Sequence, residues 1–169
     1  HLFNIPITGL RFFTVYGPWG RPDMAPMIFA ESIFNDKTIK IFNHGNMQRD
    51  FTYIDDVVKA VYDCSFKFPL EEISDDSCLL TNPSESFASH KVFNVGNGRP
   101  IKLLKFVKIL EKYLGKKATM QFLPMQPGDV EKTYADINKL KEWIKYDPQT
   151  DLEKGIENFV KWFLEYKNN

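Results

Sequence analysis

Apolar positions follow two rhythms along this chain. Over residues 7–16 they run almost unbroken through Ile7, Leu10, Phe12, Phe13 and Val15. That is the pattern of a strand covered on both faces of a parallel sheet, and Gly17, Pro18, Gly20 and Pro22 end it abruptly. The spacing of Met27, Ile28, Phe29, Ile33 and Phe34 then predicts a helix over 26–34, followed by a short strand and turn over 39–45 and another strand over 49–54. Asp55 and Asp56 suit the first turn of a helix over 57–66. Residues 70–90 are polar and aperiodic and read as an exposed, peripheral loop. KVFNVGN over 91–97 has the composition of a buried strand, and 103–114 is an amphipathic helix that Gly115 is placed to end. A strand over 119–123, a Pro/Gly loop over 124–130 and helices over 136–145 and 151–166 complete the pattern. Thr150 with Glu153 three residues on has the spacing of a capping box before the last helix.

Strands alternating with helices, without an internal repeat, define an α/β assembly. A central parallel strand beginning at residue 7 has nothing upstream to pair with, so the expectation is a piece of a larger protein. Composition adds mainly exclusions. Lys+Arg 22 against Asp+Glu 22 gives a formal charge of +0, which supplies no field for nucleic acid or an anionic membrane. No run is long enough to span a bilayer and the first residues lack the layout of a signal peptide, so a cytoplasmic location is expected. Cys64, in an apolar helical stretch, and Cys78, in the polar loop, have neither metal-ligand spacing nor scaffold density and read as reduced and structural.

Loops leaving the carboxyl ends of parallel strands are where α/β sheets bind ligands, so Thr14, Trp19 and Arg21 are the first site candidates. Of the 22 basic residues only Arg11, Arg21, Arg49 and Arg99 are arginine. Arg21, Arg49 and Arg99 fall at strand ends or in turns. There a guanidinium fork can grip carboxylate or phosphate in a bidentate way that lysine cannot reproduce. Such grips suit a small polyanion; alternatively these side chains pin loop carbonyls or pair with Asp50 and Asp129. Arg11, inside the strand, reads as a buried ion-pair partner.

TVYGPWGRPDM (14–24), RDFTYIDD (49–56), KVFNVGNGRPIKL (91–103) and MQPGDVEKTYADI (125–137) together resemble the extended short-chain dehydrogenase/reductases that epimerise or dehydrate nucleotide sugars, and among them the uronate epimerases. The resemblance covers essentially the whole chain. It implies the carboxyl-terminal part of a doubly wound, Rossmann-type sheet (1–17 and 91–115) with a small α/β substrate cap (18–90 and 116–169). The amino-terminal NAD-binding half, with its Tyr-x-x-x-Lys pair, would be absent and no catalytic residue would lie in this chain. The implied activity of the complete enzyme is NAD-dependent 4-epimerisation of UDP-glucuronate by C4 oxidation, rotation of the keto sugar and re-reduction. A decarboxylase or other nucleotide-sugar dehydratase is the alternative within the fold, and a stand-alone nucleotide-sugar-binding module the alternative outside it. The implied roles are Thr14 and Arg21 on the sugar carboxylate, Lys40 and Phe42 on uracil, Arg49 and Gln126 on the diphosphate, Asp129 on the ribose and Phe13 near the nicotinamide. No metal is implied, and homodimerisation would run through the missing half.

Two patterns imitate the missing parts. Tyr113 and Lys117 have Tyr-x-x-x-Lys spacing, but Gly115 between them ends the helix and parts the side chains. Gly96-Asn97-Gly98 has the context of a dinucleotide turn, but Pro100 follows and the third glycine is missing, so a tight strand-to-helix turn is expected.

Overall fold

The computed structural model of the chain describes residues 3, 5–70 and 89–168. Apart from its two ends, the loop expected over 70–90 lies outside these residues, as does Cys78. The elements in order are β1 (Ile7–Phe12), β2 (Thr14–Tyr16), α1 (Ala25–Phe34), β3 (Ile39–Ile41), β4 (Gln48–Arg49), β5 (Phe51–Tyr53), α2 (Ile54–Ser65), β6 (His90–Val95), β7 (Ile101–Lys102), α3 (Leu103–Leu114), β8 (Met120–Phe122), α4 (Asn138–Ile144) and α5 (Leu152–Asn168). The fold is α/β, and the pairs β1–β6, β2–β5 and β3–β8 are parallel while β4–β7 is antiparallel.

The single strand expected over 7–16 is two. The break falls at Phe13, whose N–H still donates to the Val95 carbonyl at 3.0 Å, whereas the next N–H, of Thr14, donates to the Asp50 carbonyl at 3.2 Å. The chain thus changes partner from β6 to β5 without changing direction, which an unbroken apolar run conceals. Nor is β1 covered on both faces: Ile7 and Phe12 are 44% and 53% exposed, and Arg11, expected in a buried ion pair, is exposed. The strand expected over 49–54 also divides, because Arg49 pairs with Ile101 of β7 while Phe51 pairs with Thr14 of β2.

Two apolar clusters hold the elements. The larger joins α1, β3, β5, α3 and α5 around Phe51, Phe106, Phe159 and Phe163, with Phe51 and Phe106 stacked at 4.3 Å. The smaller joins α2, β6 and α4 around Val57, Ala60, Cys64, Phe93, Val95, Leu140 and Tyr146, and burial there pushes the Cys64 thiol pKa up. Helix α3 stops at Gly115, left-handed at φ 68°. The capping box before α5 does not form: Asp151, not Thr150, caps the helix, its Oδ1 accepting the Glu153 N–H at 2.8 Å. The Glu153 carboxylate instead binds Lys112 and Tyr113 on α3.

Candidate functional site

A cleft of about 540 Å³ opens between α1, β3, β4 and the loop after β8, a size within the ordinary range for small-molecule sites. Strand β3 supplies one wall, to which buried Ile39 and exposed Lys40 both contribute. Phe42 follows at the entrance to a tight turn in which Asn43, His44 and Gly45 all have positive φ (49°, 49° and 86°). At φ 86° Gly45 has a backbone conformation in which any other side chain would be strained. Helix α1 forms the opposite wall with Ala25, Ile28, Phe29 and Ser32, a stripe at i, i+3, i+4 and i+7.

The polar end is laced to β4. The N–H of Gln48 donates to the Glu131 carbonyl at 2.9 Å and that of Thr133 to the Gln48 carbonyl at 3.1 Å, which draws the loop carrying Gln126 and Asp129 alongside Arg49. The Arg49 guanidinium donates through Nη2 to Asp129 Oδ1 at 2.8 Å, and through Nη1 to the carbonyls of Gln48 (2.9 Å) and Glu131 (3.3 Å). Both readings of this arginine therefore meet in one place: it pins loop carbonyls and pairs with Asp129, and it also lines the cleft.

Six residues singled out from the sequence, Thr14, Lys40, Phe42, Arg49, Gln126 and Asp129, line this one cleft. Arg21 does not. Its fork closes on Asp23 instead, Nε to Oδ1 at 3.1 Å and Nη2 to Oδ2 at 2.6 Å, on an exposed loop. That contact holds the Asp23 carboxyl below the usual range, and Asp23 is itself a lining residue. Phe13 is half-buried outside the cleft, and Arg99 is exposed elsewhere. Sequence reasoning missed Asp23, Ser32 and Thr38, which add a carboxylate and two hydroxyls to the lining. The stripe shared by Ile28 and Ser32 was a usable signal for the second of these; an acid two residues beyond a loop arginine was a signal for the first.

Asp50, weighed as a partner for arginine, is fully buried and takes none. Its carboxylate accepts the backbone N–H groups of Asn97 (2.8 Å), Gly98 (2.9 Å) and Ala135 (2.9 Å). The Gly96–Gly98 turn, the one dinucleotide look-alike in the sequence, thus has its amides turned to an internal carboxylate and does not fit a pyrophosphate. Gly96 is tied down further, since a Cβ there would lie 2.2 Å from that of Ala135. Of the other look-alike pair, Tyr113 reaches Glu153 at 3.4 Å and Lys117 reaches Glu111 at 3.3 Å. Among the described residues no cluster of His, Cys, Asp or Glu could hold a metal ion.

Parallel strand pairs linked by helices, with a cleft lined from β2, β3, β4, β5 and α1, make this an α/β protein with a small-molecule-sized site. Residues 1–64 match the model of the NAD dependent epimerase/dehydratase family. Protein CapI of Staphylococcus aureus is 48% identical over 166 residues, which cover 98% of this chain and 49% of CapI. A probable UDP-glucuronate 4-epimerase of Rhizobium meliloti is 42% identical over 163 residues, 96% of this chain and 48% of its own length. The solved structure of UDP-glucuronic acid 4-epimerase from Bacillus cereus, in complex with UDP-glucuronic acid and NAD, superposes with a TM-score of 0.77 at 35% identity, covering 97% of this chain and 47% of that one. Over residues 1–64 the chain resembles the NAD dependent epimerase/dehydratase family, and over nearly its whole length it resembles part of each of these relatives. It spans about half the length of the curated relatives it matches.

Proposed function

We propose that this chain is the substrate-binding half of an NAD-dependent UDP-glucuronate 4-epimerase. The observation that carries the proposal is the convergence of Thr14, Lys40, Phe42, Arg49, Gln126 and Asp129, up to 115 residues apart in sequence, on one cleft. The floor of that cleft is apolar, with Phe29, Ile39, Met47, Phe51 and Leu103, and its charges are local. Phe42 then packs on uracil, with Lys40 beside the base. Arg49 and Gln126 hold the diphosphate, which shares the guanidinium with Asp129, and Asp129 accepts from the ribose hydroxyls. Thr14 stands where the sugar would lie, and the Arg21 fork, released from Asp23, takes the uronate carboxylate. Fixing that carboxylate has a chemical purpose. A 4-keto uronate is a β-keto acid and loses CO₂ when its carboxylate stands perpendicular to the ketone, so a firm grip favours epimerisation.

The turn that would cradle a pyrophosphate in this chain is bound to Asp50, so NAD and the acid/base pair belong to the other half, with Phe13 at its boundary. In that division 1–17 and 91–115 contribute to the large domain and the remainder forms the cap. The complete protein would dimerise through the other half and work in the cytoplasm; among the described residues no helix is long and apolar enough to cross a membrane. The test is the incubation of UDP-glucuronate with NAD and either the complete protein or this chain alone. The complete protein should give UDP-galacturonate and the 169-residue chain should give none. Turnover by the chain alone would overturn the division of labour, and a pentose product from the complete protein would replace the epimerase reading with a decarboxylase.

A further inference from the structure

Trp19 has φ 60°, a left-handed conformation that a bulky residue keeps only where its surroundings hold it. Burial does not hold it, since Trp19 is 77% exposed. The surroundings come from the far end of the chain. The Trp19 ring lies 5.4 Å from that of Trp162 and 5.7 Å from that of Tyr166, and these two stack on each other at 5.4 Å with planes 17° apart. Trp162 in turn stacks on Phe159 at 6.2 Å, and Phe159 is fully buried in the larger core. Helix α5 thus presents a two-ring face, anchored in the core, to a single residue of the loop after β2.

That residue stands two positions before Arg21, and little slack separates them. The Gly20 N–H donates to the Gly17 carbonyl at 3.3 Å, and the Met24 N–H to the Arg21 carbonyl at 3.2 Å. A Cβ at Gly20 would meet the Gly17 oxygen at 3.2 Å. On the near side a Cβ at Gly17 would lie 2.4 Å from Ile54 Cγ2, so the loop also begins pressed against α2. Trp19 and the Arg21–Asp23 pair thus share one short hydrogen-bonded loop, of which Asp23 lines the cleft.

We propose that Trp162 and Tyr166 are positioning residues for the uronate carboxylate: by clamping Trp19 they set the loop that carries Arg21, without touching the ligand. The inference rests on the uronate reading of Arg21 above. Removing one ring of the clamp loosens the carboxylate grip and leaves the nucleotide end, built on β3, β4 and the loop after β8, as it was.

The experiment is calorimetric titration of the complete protein with UDP-glucuronate and with UDP-glucose, for the wild type, Trp162→Ala, Trp162→Phe, Tyr166→Ala and Arg21→Lys. Tyr166→Ala is the safeguard against misfolding, because Tyr166 is half exposed. Affinity for UDP-glucuronate should fall about two- to tenfold in Trp162→Ala and Tyr166→Ala, the scale of a lost aromatic pair, while affinity for UDP-glucose changes less than about twofold. Trp162→Phe should recover most of the loss. Amide exchange over residues 17–24 should quicken in both alanine variants while that of Asn97 and Gly98 stays unchanged. Equal losses for the two sugars, or no loss for either, would overturn the clamp. If Arg21→Lys fails to separate the two sugars, the uronate reading itself falls; if Arg21→Lys separates them and the α5 variants do not, only the clamp falls.

Discussion

Asp50 illustrates what a single buried side chain does in this molecule. A fully buried carboxylate is tolerated only when its charge is met, and here three backbone N–H groups meet it while its own N–H donates to Thr133 Oγ1 at 3.0 Å. The donors lie 47, 48 and 85 residues away, so Asp50 ties β5 to the turn after β6 and to the strand of chain before α4. Asp50→Asn keeps the shape but turns an NH₂ towards at least one of those donors. The expected loss is about 2–4 kcal/mol, seen as a fall in Tm of roughly 5–12 °C for a chain of this size. An unchanged Tm would mean that the carboxylate is not the tie. None of this was legible beforehand. Asp50 entered the reading only as a partner for arginine, because main-chain donors that far away leave no mark in a local pattern. Arg49 was legible as a strand-end arginine, and it does what the alternative expected, pinning loop carbonyls and pairing with Asp129 through the single Nη2–Oδ1 contact. Arg11 misled because an apolar strand suggested cover on both faces, and β1 is open to solvent at Phe12 beside it.

At the level of elements, the helices were read more truly than the strands. The 3.6-residue repeats of α1, α3 and α5 survive in the structure within a few residues, since one buried face suffices to mark them. The strands are cut at Phe13 and Asp50, where the chain changes hydrogen-bond partner while its apolar character runs on. Helix α5 shows a further fact that the sequence hid. At Gly155 a Cβ would lie 2.1 Å from Tyr16 Oη and 2.9 Å from Tyr16 Cζ, so this glycine in the first turn of α5 is where β2 and α5 touch. Gly155→Ala gains less than about 1 kcal/mol of helix propensity so near the helix start but overpacks a tight contact at a cost of about 1–3 kcal/mol. The net expectation is a lower urea midpoint, partly restored in a Tyr16→Phe background that removes the nearest atom. A higher midpoint for Gly155→Ala alone would refute the contact.

The same helix is tied to α1 by Lys167 and Glu31, 2.6 Å apart. The lysine holds the Glu31 carboxyl below its ordinary value, against the opposing effect of desolvation. A depressed carboxyl pKa stabilises the fold at pH values above the unfolded value of 4.5, and that contribution is lost as pH falls through the folded value. Both partners are partly exposed, so the contribution is below about 1 kcal/mol. Glu31→Gln should therefore melt slightly below the wild type at pH 7 and together with it near pH 3. A difference that persists or grows in acid would contradict the assignment.

For the whole molecule, the α/β class and the gathering of the cleft residues were both legible, for different reasons. Alternating apolar runs and amphipathic helices express the class directly. The cleft was reached through motif resemblance, since no rhythm in the chain brings Lys40 to Asp129. Ile7 and Phe12 leave β1 exposed while its partner β6 buries Phe93 and Val95 in the smaller of two separate apolar clusters. The Arg21 fork rests on Asp23, outside the cleft lining, and must turn from it to reach a ligand carboxylate.

The most direct measurement is therefore the affinity of the complete protein for UDP-glucuronate and UDP-glucose across the wild type, Arg21→Lys and Arg49→Lys. Lysine keeps the charge in each case and removes the fork. Arg49→Lys should weaken both ligands alike, since the diphosphate is common to them. Arg21→Lys should weaken UDP-glucuronate by roughly tenfold, the scale of one charge-assisted hydrogen bond, and leave UDP-glucose almost unchanged. Equal losses for the two ligands in Arg21→Lys would mean that this arginine braces its loop or reads the nucleotide, and would contradict a site built for a uronate.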